Sequence, residues 1–127
     1  GTDLYSDPDS IGIRFANDVL KFKLKTGHAV KTGKVFSVNN NFLPLKNIFE
    51  FNTTFNDSIY KVEAPDELGE INGSEILLRY AENNFSSAIG YREKYGVVCF
   101  GFPFETILGE KNRNEIMKSV LDYLGTK

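Results

Sequence analysis

Residues 95–105 read Tyr-Gly-Val-Val-Cys-Phe-Gly-Phe-Pro-Phe-Glu, and no other stretch limits the fold of the chain as much. Its apolar run, residues 97–100, lies between a turn at 94–96 and the break at Gly101-Phe102-Pro103. A short apolar run bounded by turn signals predicts a strand buried on both faces. Gly101 lets the backbone bend where that strand ends. Pro103 has no N–H to give to a ladder, so pairing must stop before it. In open α/β sheets ligands sit beyond the carboxyl ends of such strands, so chemistry is first sought at 101–105.

The flanking sequence supplies both helical and strand periodicities. Residues 1–9 form a polar loop, with Asp9 or Ser10 placed to cap a helix. Ile11, Phe15 and Val19, with Ala16 and Leu20 one position over, make an apolar stripe that predicts a helix to about Lys23. Lys21, Lys23 and Lys25 collect at its carboxyl end, where cations suit the dipole, and Thr26-Gly27 closes it. A β segment follows over 29–38, with Gly33 marking a bulge or hairpin turn. Residues 42–46, with Pro44, are irregular. Phe49 and Phe51 alternate with Glu50 and Asn52, which predicts a half-buried strand over 48–53. A short strand over 58–63 and a loop over 64–69 come next. Strands are predicted over 75–81 and 86–92, the second turning tightly into the apolar run as an antiparallel hairpin. In the last helix Asn112 is the expected N-cap, with Glu115 completing a capping box. Ile116, Val120, Leu121 and Leu124 form its apolar face, and Gly125 stands at the C′ position.

Two amphipathic helices, N-terminal and C-terminal, flanking a mixed sheet of about six strands predict an α/β layer structure in one domain over 1–127. An apolar fraction of 41% and a charged fraction of 25% exclude a disordered chain. A net charge of −2 gives no basic footprint for nucleic acid. No apolar run approaches the roughly 20 residues of a membrane span, and no stretch reads as a signal peptide.

Candidate chemistry is sparse. Cys99 is the sole cysteine, so it forms no internal disulfide and no multi-cysteine zinc site, and its apolar setting predicts a buried, inert thiol. His28 is the sole imidazole and sits in a polar connection, so any Ser-His-Asp or Cys-His set depends on it. Asp7 and Asp9 lack the remaining oxygen ligands of a calcium loop. Glu63, Asp66, Glu67 and Glu70 form an acidic loop, read as solvated rather than as a glycosidase carboxylate pair. Residues 69–73 lack the lysine and the following helix of a phosphate loop. Asn-X-Ser/Thr triplets occur at Asn52, Asn56, Asn72 and Asn84. Phe49, Phe51, Phe55, Tyr60, Tyr80, Tyr91, Phe100, Phe102 and Phe104 read mostly as core, with a sugar-stacking platform as the alternative. Tyr80 with Arg79, and Tyr91 with Arg92, are the groupings a polysaccharide lyase could use, although strand neighbours face opposite ways.

The predicted hairpin over 86–105 resembles the end of the catalytic domain of class I glutamine amidotransferases. There the second strand reads approximately Gly-Val-Gln-Phe-His-Pro-Glu, whose His and Glu belong to a Cys-His-Glu triad. Here it reads Gly96-Val97-Val98-Cys99-Phe100-Gly101-Phe102-Pro103-Phe104-Glu105, again followed by a helix. Phe102 or Gly101 stands where the histidine would be, and Glu105 is the counterpart of the acid. The nucleophile would lie ahead of Gly1, and Cys99 is on the wrong strand to replace it. The chain is also similar to amidotransferase-like domains of large secreted Bacteroidetes proteins labelled xanthan lyase or cell-wall amidase. That similarity lies in 1–4 with 15–20, and in 101–107 with 117–124. It implies an amidotransferase-like (flavodoxin-like) layer architecture of which this chain is the C-terminal part, in an exported, periplasmic or cell-surface protein. The expectation is a non-catalytic structural or binding domain without cofactor or metal. Its partners would be a polysaccharide or cell-wall glycan and the remaining domains of the same polypeptide. Phe102, Phe104, Glu105 and Tyr91 are the candidate binding residues, with Phe102 and Phe104 filling the pocket a histidine would have lined. The alternatives are a polysaccharide lyase and a protein-interaction module.

Overall fold

A computed structural model describes residues 14–27, 29–45, 47–54, 62 and 65–125. Its strands are β1 (Phe22–Thr26), β2 (Lys34–Ser37), β3 (Ile48–Glu50), β4 (Glu67–Glu70), β5 (Glu75–Tyr80), β6 (Ser86–Tyr91) and β7 (Val97–Phe100), and α1 (Glu110–Gly125) closes the chain. Five strands form a sheet in the order β3-β2-β5-β6-β7, and β1 pairs with β4 in a separate ribbon. Every pairing among these strands is antiparallel. The chain thus combines sheet and helix as expected, but sheet predominates and no parallel pair occurs among the described residues.

The N-terminal helix, described from residue 14, ends about three residues before the predicted Lys23. A π-helical turn, Ala16–Leu20, ends at Lys21 in the left-handed region (φ 65°), and β1 begins at once. Lys21, Lys23 and Lys25 alternate with Phe22 and Leu24, so they fit a period of two as well as a helix terminus. Pairing decides between the two readings. Phe22 lies opposite Glu70, Leu24 opposite Leu68 and Thr26 opposite Glu67. Lys25 Nζ stands 3.7 Å from a Glu67 carboxylate oxygen. The predicted loop over 64–69 therefore supplies β4, and its acids face the basic strand. The cap at Asp9 or Ser10 lies outside the described residues, as does the strand over 58–63 apart from the buried Val62.

The apolar run is an edge strand. All four residues of β7 are half-buried, whereas all six of β6 are buried. β6 reads Ser-Ser-Ala-Ile-Gly-Tyr, less apolar but small, because it is covered on both faces. At Gly90 an added Cβ would lie 2.6 Å from the Tyr123 hydroxyl and 2.8 Å from Leu77. Alternation along β6 divides the core. Ala88 joins the cluster with Leu78, Phe51, Ile116 and Tyr123, while Ile89 joins Ala16, Phe22 and Leu68. The five-stranded sheet is thus packed by α1 through one cluster and by the β1–β4 ribbon through the other.

Other boundaries shift for identifiable reasons. Gly33 marks a close approach rather than a hairpin turn: Phe51 N donates to its carbonyl (2.9 Å), and a Cβ there would strike the Phe51 carbonyl. Phe51 leaves β3 to form an isolated bridge with Ile107. α1 starts at Glu110, not after Asn112. The Asn112 amide donates to Leu108 O (3.1 Å) and Glu115 accepts from Asn47 (3.2 Å), so no capping box forms. Leu121, expected on the apolar face, is 61% exposed, and Tyr123 occupies the buried stripe instead.

The sharpest polar contact of the loops is at Glu82. Its Oε1 accepts from Lys31 N (3.0 Å), Thr32 N (2.9 Å) and Thr32 Oγ1 (3.0 Å). These bonds, the Thr32 amide first, hold the carboxyl below its ordinary range. Because the folded value is depressed, the stabilisation is complete above the ordinary carboxylate pKa and is lost as pH falls through the lower folded value. Glu82→Ala is therefore expected to lower the denaturation midpoint at neutral pH. The difference from wild type should vanish below both values, as read from chemical unfolding at a series of pH values.

Candidate functional site

The corner after β7 is built on Gly101. Its N–H donates to Ser87 O (2.8 Å), and its carbonyl accepts from Asp66 N (2.7 Å). The Tyr80 hydroxyl donates to Asp66 O. A Cβ at Gly101 would strike the Asp66 carbonyl and lie 2.7 Å from the Tyr80 hydroxyl, so only glycine fits. This seat turns Phe102 inward. Phe102 is 2% exposed and stacks on Phe51, with centroids 4.7 Å apart and planes at 17°. Phe100, Phe49 and Tyr80 surround it at 5.5, 6.4 and 6.5 Å. Burial of such a ring contributes about 1.5–3 kcal/mol, and each favourable ring pair about 0.5–1.5 kcal/mol more.

Beyond Phe102 the chain forms a 3-10 turn, Phe104–Thr106. Thr106 ties it down, its N–H (3.1 Å) and hydroxyl (2.6 Å) both donating to Pro103 O. Phe104 is half-buried against Phe100 at 6.2 Å, and Glu105 is on the exposed side of the turn. Burial, with Asp66 and Glu67 nearby, raises the Tyr80 phenol far above its usual range. Burial also pushes the Cys99 thiol up to about 11, although Cys99 is half-buried where its apolar setting predicts full burial.

The fourth expected residue lies elsewhere. Register sets Ala88 against Phe100 and Tyr91 against Val97, so Tyr91 and the corner are at opposite ends of the hairpin. Tyr91 is 4% exposed, with the Lys21 ammonium 4.7 Å from its ring centroid and Tyr95 at 5.0 Å. The Tyr95 hydroxyl donates to Val19 O (2.7 Å) and Asp18 O (3.2 Å). These contacts clasp the π-helical turn to the sheet. Nor do the tyrosine–arginine pairs converge. Arg79 opposes Ser86, at the far end of β6 from Tyr91, and its Nη1 donates to Asn84 O (2.7 Å).

Arg92 instead covers Tyr123, its guanidinium 4.5 Å from the ring centroid. The Tyr123 hydroxyl donates to Glu75 Oε2 (2.6 Å), and Asn39 Nδ2 donates to Glu75 Oε1 (2.9 Å). Burial and then the Glu75 bond raise the Tyr123 phenol. Sequence reading missed this cluster. Its one signal is the position of Tyr123 on the α1 stripe, where a buried hydroxyl needs a partner; that the partner is Glu75 follows only from the fold.

The acidic loop is less solvated than its sequence predicts. Asp66 and Glu67 are buried at the start of β4, and Glu70 is exposed. Asn52 is 3% exposed and so cannot carry a glycan, whereas Asn72 and Asn84 are exposed turn residues with φ of 57° and 65°. Asp7, Asp9, His28, Phe55, Asn56, Tyr60 and Glu63 lie outside the described residues. Among the described residues no group of three or more His, Cys, Asp and Glu side chains converges to hold a metal. No protein-family model, no curated protein and no solved structure matches the chain.

Phe102→Ala is expected to destabilise by about 3–5 kcal/mol in chemical denaturation. Tyr123→Phe should cost about 1.5–3 kcal/mol by leaving Glu75 without its phenol donor. The same unfolding curves check it.

Proposed function

We propose that the chain is a non-catalytic structural or glycan-binding domain of an exported, polysaccharide- or envelope-associated multidomain protein. It would form the C-terminal, antiparallel part of an amidotransferase-like (flavodoxin-like) layer architecture. The observation that carries this reading is the state of the corner. Where the resemblance calls for a histidine, Gly101 is locked in the backbone and Phe102 is buried in an aromatic cluster. A phenyl ring has no proton to move, and general acid–base work needs a titratable group within about 2.6–3.2 Å of the reacting atom. Glu105, the counterpart of the triad acid, sits on the outer side of a 3-10 turn. The hairpin of β6 and β7 with a helix after it also suits the reading.

On this account glycan binding stabilises the fold without turnover. A ligand at about 100 times its dissociation constant adds roughly 2.7 kcal/mol. In a thermal-shift screen against acidic polysaccharides and peptidoglycan fragments, at least one ligand is expected to raise the melting temperature with no product in the same tube. Hydrolysis of glutamine, or cleavage of a glycan, at a rate that Glu105→Ala abolishes would overturn the reading.

A further inference from the structure

A cleft of about 240 Å³ opens between the start of β3 and the first two turns of α1. Leu43, Phe49 and Ile116 are its buried apolar residues, and Ile48 borders it, 66% exposed. Asn47, Asn112 and Glu115 supply its polar groups. Two bonds orient these side chains: Asn47 Nδ2 donates to Glu115 Oε1 (3.2 Å), and Asn112 Nδ2 donates to Leu108 O (3.1 Å). Each asparagine still has a second amide hydrogen and a carbonyl oxygen, and Glu115 a second carboxylate oxygen, none of them paired among the described residues. Donors and acceptors in alternation suit hydroxyls, which do both. The exposed Ile48 offers an apolar surface beside them.

A group with hydroxyls along its edge and a C–H face fits that division. The volume falls below the roughly 300–1,000 Å³ of sites for larger ligands, which limits the occupant to about one ring. Charge narrows the choice further. Glu115 repels a carboxylate-bearing sugar, because like charges brought together oppose binding. An ammonium has donors but no acceptor for the remaining amide hydrogens of Asn47 and Asn112, so it matches the cleft less well than a hydroxyl. We infer that this cleft is a subsite for one neutral pyranose unit of a glycan. The inference rests on the glycan-binding reading above and assigns that reading a place and a sugar class.

The test is a titration followed by NMR of side-chain amides, using methyl hexosides, a neutral trisaccharide, a uronic acid oligosaccharide and butylamine. Saturable shifts of the Asn47 and Asn112 amides are expected with the neutral sugars, and not with the uronic acid or the amine. Asn112→Ala should weaken neutral-sugar binding about tenfold or more. Asn112 also holds Leu108, so Ile48→Ser, an exposed change, serves as the second variant and should weaken binding without altering the fold. Glu115→Gln should keep neutral-sugar binding and gain uronic acid binding. Absence of saturable shifts at these amides, or tighter binding of butylamine there, would overturn the inference. If glycans bind but the shifts of the neutral sugars map to another face, the subsite fails and the glycan-binding reading stands. If no glycan binds at all, both fail.

Discussion

The backbone of Gly101 is where the packing of this chain is decided. Its N–H and carbonyl join β6 to the segment that leads into β4, and Tyr80 seals the junction from below through the Asp66 carbonyl. The site has no room for a side chain. Once this seat is made, Phe102 can go only inward, onto Phe51, and Phe51 in turn bridges to Ile107. One backbone position thus couples the central sheet, the ribbon and the turn that leads into α1.

The centre of the sheet is built from small residues rather than bulky ones. β6 is buried along its whole length, and its Ala88 and Gly90 leave room for Tyr123 and Leu77. The hydroxyls of Ser86 and Ser87 are buried there with no hydrogen-bond partner among the described residues. A buried hydroxyl left unpaired costs about 1–3 kcal/mol, a cost set against close packing on two faces. The polar network of Tyr123, Glu75 and Asn39 then fixes α1 to the start of β5, with Arg92 laid over the ring.

The legible parts of the sequence were those whose signal is local. The β6–β7 hairpin, β5 and the C-terminal helix follow from alternation, a tight turn and a helical stripe, and the structure contains them near the expected bounds. The ribbon was not legible. Lys21, Lys23 and Lys25 serve a helix terminus and a strand equally well, and the strand opposite them lies in a segment whose Pro and acids suggest a loop. Burial was misread for a related reason. Val97–Phe100 is the more apolar strand but lies at the edge, while β6 at the interior is kept small by its neighbours. At the candidate site, the burial of Phe102 was legible from its place among aromatics that read mostly as core. The separation of Tyr91 from the corner, and the Asn47–Asn112–Glu115 cleft, depend on register and on helix placement, which spacing alone does not encode.

The corner at 101–102 is a structural junction. Chemical unfolding of Gly101→Ala tests this most directly. A Cβ that strikes the Asp66 carbonyl can be relieved only by moving backbone that joins three elements, so a loss above about 3 kcal/mol is predicted. A midpoint within about 0.5 kcal/mol of wild type would mean that the junction gives way freely and that the rest of the fold does not depend on it.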